Sequence, residues 1–360
     1  MFQVSIYKNT ENEKTCEVPM KTYKLVLLGF GNAGQALARL LLEKRSELQH
    51  SYSISFMVTA IATGTHGRAL NANGLDLERA LEIMQSGESL DELSPSPAPT
   101  DNLELIRTSG GDVMFENTPV NYEDGQPAIT HIETALENGM HAFTANKGAV
   151  VHAYHRLTAL AAKHGLKYFF ESTVMDGVPI FSAFRQLPVV NLSAIWGVLN
   201  STTNLILSRM EAGDSFDEAV KHTQQIGIAE TDPRGDIEGW DAAVKLSAMI
   251  TVLMDHPFTP DLVDRTGIEN ITPKMIAEAK AAGKRYKLVA HAWKEGEQVK
   301  AKVAPELVGT DSVLYNISGS TAIVQFESDV LGKLSLIEED LGTRTTAYGL
   351  LADFINAVSG

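Results

Sequence analysis

At 360 residues the chain is longer than one ordinary hydrophobic core organises, so two domains are expected, each large enough to bury a substantial interior. Apolar and charged contents of 44% and 21% are those of a globular protein, and a formal net charge of -15 argues against a nucleic-acid partner, which needs clustered Lys and Arg. The one cysteine, Cys16, excludes an internal disulfide and a thiolate metal cluster; with no membrane-length apolar run and no signal-peptide pattern, the chain reads as cytoplasmic and away from membranes.

Residues 1–21 are polar after a short apolar alternation and are expected to be an extension or a weak edge strand. Tyr23–Leu28 is a compact apolar run that predicts a strand, followed at once by Gly29-Phe30-Gly31-Asn32-Ala33-Gly34 and a helical pattern over Gln35–Leu42. GxGxxG between a strand and a helix is the context in which it binds a dinucleotide. The first glycine permits the tight turn, the second lets a pyrophosphate approach the backbone, and the third lets the helix pack close. A glycine turn that merely packs a βα unit is the plainer alternative. A second strand over Ser55–Ala62 ends in Thr63-Gly64, where an NAD site usually carries an acid for the ribose hydroxyls. The missing acid removes repulsion against a 2′-phosphate, and Arg68 either meets that phosphate or is an ordinary loop residue, so the reading leans to NADP or to both cofactors.

A helix is predicted over Gly74–Ser86, a surface loop over Ser94–Thr100, and a strand over Asp112–Glu116. That strand leads into Asn117-Thr118-Pro119 on the cofactor side of a parallel sheet. Further on come a helix capped by Thr130, a strand over Met140–Thr144, Lys147 at that strand's carboxyl end, a helix over Val151–His164 and a strand over Tyr168–Glu171. The expected fold is α/β: a Rossmann-type dinucleotide-binding domain over 22–150, and an α+β catalytic and dimerisation domain over 151–340. A C-terminal helix over 341–360 is expected to pack back on the first domain. In the second half, helices are predicted at Asn200–Glu211, from the capping box Ser215-Phe216-Asp217-Glu218 to Ile226, and from Thr272-Pro273. A hairpin is predicted over Tyr286–Ala304, strands at 322–326 and 330–335, and a last helix at Thr345–Val358.

The chemistry concentrates in Gly227–Asp255. Four acids, Glu230, Asp232, Asp236 and Glu238, lie in a loop broken by Pro233, Gly235 and Gly239, and a helix follows with Asp241 and Lys245 one turn apart. Four-residue spacing places these two on one helix face, usually as an ion pair worth about 0.3–0.5 kcal/mol. The rest of that helix is almost wholly apolar, so the lysine faces a partner or a cleft. The acidic loop is either a solvated turn or the cationic-ligand wall of that cleft.

GIAETDPRGDIEGWDAAVKL closely resembles the signature segment of homoserine dehydrogenases. The resemblance extends to ENTPVN at 116–121, THIETALENGMHAFTANKGAV at 130–150 and LNSTTNLIL at 199–207. It implies NAD(P)-dependent interconversion of L-aspartate-4-semialdehyde and L-homoserine, and a homodimer. It also implies Lys245 and Lys147 as catalytic lysines with Asp241 as proton-transfer partner, Glu230 and Asp236 as substrate ligands, and Thr202 and the neighbouring Ser201 against the substrate. The segment Glu171–Pro179 resembles the family's monovalent-cation loop, implying Na+ held through Glu171 and the stretch of Val174, Asp176 and Val178; a plain strand-end turn is the alternative. Two stretches depart from the family: Ser201 stands where a glycine is usual, and Glu338–Thr346 replaces a glycine-rich loop. A paralogue acting on another small hydroxy or amino acid, and a non-catalytic dinucleotide-binding protein, are the competing readings. An aspartate-semialdehyde dehydrogenase is rejected, because its thioester chemistry needs a cysteine within the fold.

Overall fold

The computed structural model describes residues 19–339 and 341–359; most of the N-terminal extension, with Cys16, lies outside them. Strand β1 (Lys21–Leu28) opens the chain, and the glycine turn leads into α1 (Asn32–Tyr52). That helix starts on the turn itself, three residues before the predicted Gln35, because Gly31 in an extended conformation is its N-terminal flank. Then come β2 (Ile54–Ala62), β3 (Arg68–Leu70), α2 (Leu77–Ser86), α3 (Asn102–Thr108), β4 (Val113–Glu116), α4 (Ala128–Glu137), β5 (His141–Thr144), α5 (Lys147–Lys163) and β6 (Tyr168–Phe169).

The first sheet has the order β3-β2-β1-β4-β5-β6, parallel except for β3. Its central strand is buried on both faces by simple alternation. Leu25 and Leu27 pack with α1 and the C-terminal helix, and Val26 and Leu28 with α4 and α5. Each such side chain contributes about 1.5–3 kcal/mol by leaving water. Most of helix α5 and all of strand β6 lie past residue 150 and belong to this layer, Ala142 of β5 pairing with Tyr168.

Several local expectations are corrected. Thr130 does not cap α4 but lies within its first turn, its hydroxyl donating to Gln126. Helix α5 begins at Lys147, four residues early, because Asn146 accepts the Gly148 N–H and caps it. The expected strand to Glu171 stops at Phe169, since Glu171 enters a 3-10 turn. Helix α2 starts at Leu77 rather than Gly74, where Asp76 accepts the Arg79 N–H.

The second half adds α6 (Ile180–Arg185), β7 (Leu192–Val198), α7 (Ser201–Ala212), α8 (Phe216–Gln225), α9 (Arg234–Ile237), α10 (Trp240–Leu253), β8 (Asp264–Arg265) and α11 (Pro273–Ala281). It ends with β9 (Arg285–Glu295), β10 (Gln298–Val308), β11 (Ala322–Ser328), β12 (Gly332–Glu338) and α12 (Thr343–Val358). The second sheet has the order β12-β11-β7-β9-β10-β8, antiparallel apart from the β8–β10 pair. Strand β7, absent from the sequence reading, is its hub. Leu-Ser-Ala-Ile-Trp-Gly-Val shows no clean polar alternation because apolar residues occupy both faces, Ile195 against the main core and Val198 and Trp196 on the other side.

Two contacts between the halves place the site. Helix α10 packs along α5, bringing two segments nearly a hundred residues apart to one corner. Helix α12 packs along α1, and Phe354 meets Tyr23 and Phe115 edge-on at 5.5 and 6.1 Å. Among the described residues, no helix is long and apolar enough to cross a membrane.

Candidate active site

The glycine turn is shaped for a phosphate. Gly29 has φ +90, and a Cβ there would lie 2.3 Å from the Asn117 carbonyl oxygen; a Cβ on Gly34 would lie 2.4 Å from the Gly29 oxygen. Gly31 is different: a Cβ there would meet nothing within 4 Å, so its surface faces open space. No side chain caps the first turn of α1, which begins Asn32-Ala33 and carries no acid, so its N–H groups point unpaired into that space. Asn117 adds a side-chain amide whose nitrogen and oxygen are both buried without a hydrogen-bond partner among the described residues. A buried unpaired amide is costly unless a ligand completes it, and together these features fit a dinucleotide. Thr118 is bound back to Glu116, and Pro119 is exposed beside it. Arg68 opens β3 opposite Ala62, at the carboxyl end of β2, with its Nε donating to Asn102 at 3.1 Å.

Where α10 packs on α5 lies a bridged set of charges. Asp241, in the first turn of α10, is 2.9 Å from Lys245 Nζ through one oxygen and 3.3 Å from Lys147 Nζ through the other. All three side chains are less than one-fifth exposed. Burial alone would raise the Asp241 carboxyl, but Lys245 and Lys147, with hydrogen bonds from Lys245 and Asn200, hold it well below the usual carboxylate range. Lys245 also donates to the Leu199 carbonyl at 2.8 Å, so two of its three N–H donors have protein partners and the third is spare. Lys147 sits at the start of α5, held by Asp241, with further donors spare.

Asn200 organises the rest, and the sequence reading passed over it. Its side-chain oxygen caps α7 by accepting the Thr203 N–H at 2.8 Å, which frees its amide to donate to Asp236 at 2.6 Å and Asp241 at 3.0 Å. A cap whose second polar end has no role in capping was the available signal. Burial and the Asp241 charge raise the Asp236 carboxyl, with Asn200 opposing. Thr202 is buried in the first turn of α7, and Ser201, half-buried, begins that helix. Glu230 is exposed at the rim, whereas Asp232 is engaged outside the cluster by Arg234 at 2.5 Å. Tyr122 was also missed. Although 38% of it is exposed, burial of the rest of the side chain first, then the charges of Asp241 and Asp236, push its phenol up to about 12.

The Glu171–Pro179 segment is tied to two helix ends. Both Glu171 oxygens accept helix N–H groups, from Phe181 at 2.6 Å and Ser182 at 2.8 Å. Asp176 accepts from Gly342 N–H and the hydroxyls of Thr345 and Thr346, capping α12. Val174 is buried, and the Val178 carbonyl accepts the Ile180 N–H. These carboxylates serve as helix caps. Among the described residues no group of three or more His, Cys, Asp or Glu is placed to hold a metal ion; the cation that the resemblance implies would instead rest on Glu171 and backbone carbonyls, and no step below is routed through it.

Comparison with known proteins gives a consistent match. A family model described as homoserine dehydrogenase, NAD binding domain, matches residues 29–171, and one described as homoserine dehydrogenase matches residues 179–355. The chain is 32% identical to an NAD(+)-dependent homoserine dehydrogenase of Pseudomonas canavaninivorans, over 94% of this chain and 96% of the relative. It is 34% identical to a homoserine dehydrogenase of Methanocaldococcus jannaschii, over 92% and 97%. Among solved structures, a hyperthermophilic archaeal homoserine dehydrogenase in complex with NADPH superposes with a TM-score of 0.78 at 28% identity, covering 94% of this chain and 98% of that one. One from Thiobacillus denitrificans gives 0.79 at 27% identity, covering 94% and 74%.

Proposed function

Because this chain belongs to the homoserine dehydrogenase family, NAD(P)-dependent oxidoreductases, we propose that Lys147, Asp241 and Lys245 form the centre at which L-aspartate-4-semialdehyde and L-homoserine are interconverted. The observation that carries this is the single buried carboxylate bridging two lysines from different layers, each lysine with a donor to spare. The bound nicotinamide cofactor supplies or accepts the hydride. In the reducing direction, oxygen of the aldehyde gains negative charge as its carbon is reduced. Lys245 donates a hydrogen bond to that oxygen and then its proton, completing the alcohol; the reverse reaction returns the proton to the amine. Asp241 keeps the lysine ammonium in place and compensates its charge in a site that water barely reaches. Lys147 orients the substrate by its carboxylate or its reacting oxygen. Asp236 and Glu230 receive the substrate ammonium, and Thr202 and Ser201 line the pocket beside them.

Gly29, Gly31, Asn32, Ala33, Gly34, Asn117, Thr118 and Pro119 form the dinucleotide wall, and the acid-free end of β2 with Arg68 supports acceptance of NADP as well as NAD. The protein is further read as a cytoplasmic homodimer. On the face of the second sheet turned away from α10, Trp196, His291 and Trp293 stack at 4.5 and 4.6 Å between ring centres, an aromatic surface suited to a second copy. Light scattering of the purified protein measures that state. The test of the activity is a panel of homoserine and other small hydroxy amino acids with NAD and NADP. Turnover of homoserine above a Lys245→Ala control is expected, and its absence with both cofactors would overturn the reading.

A further inference from the structure

Glu338 is a second buried acid at this corner, and the chemistry above does not use it. It is the last residue of β12 and pairs with Ala322 of β11. Ile323, next along, pairs with Val198 of β7, so Ala322 lies beside the Leu199 end of that strand, where Lys245 Nζ is bound. Strand spacing of about 4.8 Å puts the Glu338 backbone about 10 Å from Leu199. Leu336, two residues earlier, packs against the helix-covered core, and strand alternation turns Glu338 to that same face.

Glu338 is only 8% exposed, and one of its carboxyl oxygens is buried without a hydrogen-bond partner among the described residues. The charged groups facing it are Asp176, engaged in capping α12, and Lys245, whose charge is already held by Asp241. Burial and then Asp176 push the Glu338 carboxyl up to about 8, against the opposing pull of Lys245. An ionised carboxylate buried without a partner is very costly, so the group stands as a neutral acid. A neutral carboxylic acid presents an O–H donor and a carbonyl acceptor side by side.

We propose that Glu338 holds the carboxamide of the cofactor's nicotinamide ring, its O–H donating to the amide oxygen and its carbonyl accepting from the amide N–H. The inference rests on the NAD(P)-dependent reading. Hydride transfer requires the reacting ring carbon to meet the substrate carbon that Lys245 serves, and the carboxamide is carried by the adjacent ring carbon. It must therefore lie within about a ring's width of the Lys245 end of the cleft, where Glu338 presents the matching uncharged pair. The substrate suits it poorly: its ammonium calls for an ionised carboxylate and its carboxylate for a cation.

The experiment titrates wild type, Glu338→Ala and Glu338→Gln with NADH and NADPH, followed by the fluorescence of the bound reduced ring. ADP-ribose and its 2′-phosphate, which lack the ring, are then titrated in competition. Glu338→Ala is expected to weaken the better reduced dinucleotide about tenfold, the order of one or two hydrogen bonds, and to leave the ring-free ligands within about twofold. Glu338→Gln, which keeps a donor and an acceptor, is expected to restore binding to within about threefold of wild type. Equal weakening of ring-free and complete ligands would overturn the proposal, as would unchanged dinucleotide binding with a raised KM for homoserine. Wild-type protein that binds no dinucleotide at all would overturn the premise instead.

Discussion

Asp241 and Glu338 are both buried carboxyls that feel the charge of Lys245, and they end in opposite states. Asp241 has two lysines and the Asn200 amide around it and is held ionised well below the usual carboxylate range; Glu338 has an oxygen with no partner and is pushed up to about 8. Partners rather than depth therefore decide protonation here: one carboxyl is bridged by two cations, and the other, left with an unpaired oxygen, is pushed toward its neutral form.

The largest break in that contrast should come from Lys245→Ala. It removes the proton donor and leaves Lys147 alone with Asp241, and turnover is expected to fall about 10²- to 10⁴-fold with cofactor affinity nearly unchanged. Steady-state kinetics beside a cofactor titration checks this; rates near wild type would reduce the pair to a salt bridge.

Asp241→Asn should come next, at about 10²-fold in turnover. With the bridging charge gone, two lysines face each other across an uncharged amide, and neither is held in place by a counter-charge. Steady-state kinetics checks this, and turnover near that of wild type would contradict it. Asn200→Ala is smaller: loss of the α7 cap is expected to cost about 1 kcal/mol of stability, and release of Asp236 and Asp241 to cost about tenfold in turnover.

The smallest effect sharpens the comparison through stability alone. Glu338 has a folded pKa above its unfolded value, so the stability linked to its proton is full below the unfolded pKa and is lost as pH rises through about 8. Glu338→Gln carries no such dependence. Its melting temperature relative to wild type should therefore climb between about pH 4.5 and pH 8 and level off above, readable by scanning calorimetry.

Much of this was legible before the fold was seen, and the pattern of success has a cause. The strand, glycine turn and helix at Tyr23–Leu42, and the i,i+4 pair on an apolar helix, are local signals that a window of the chain carries whole. Boundaries slipped where a cap lay beside an apolar run, as at Asn146, which makes Lys147 a helix residue rather than a loop residue. Strand β7 was lost because apolar residues on both faces erased its alternation. Asn200 and Tyr122 were missed because each acts through groups far along the chain.

Local periodicity and turn chemistry were thus enough to tell that a nucleotide fold precedes a buried Asp241–Lys245 helix. That Lys147 meets the other oxygen of Asp241, and that Asn200 ties Asp236 to the same carboxylate, came only from the packing of α10 on α5 and from the reach of the α7 N-cap to both acids. The state of Glu338 came the same way, from sheet register that places it near Lys245 without a partner. Electrostatic states depend on distances of a few ångströms between residues remote in the chain, and those distances exist only once the layers have packed.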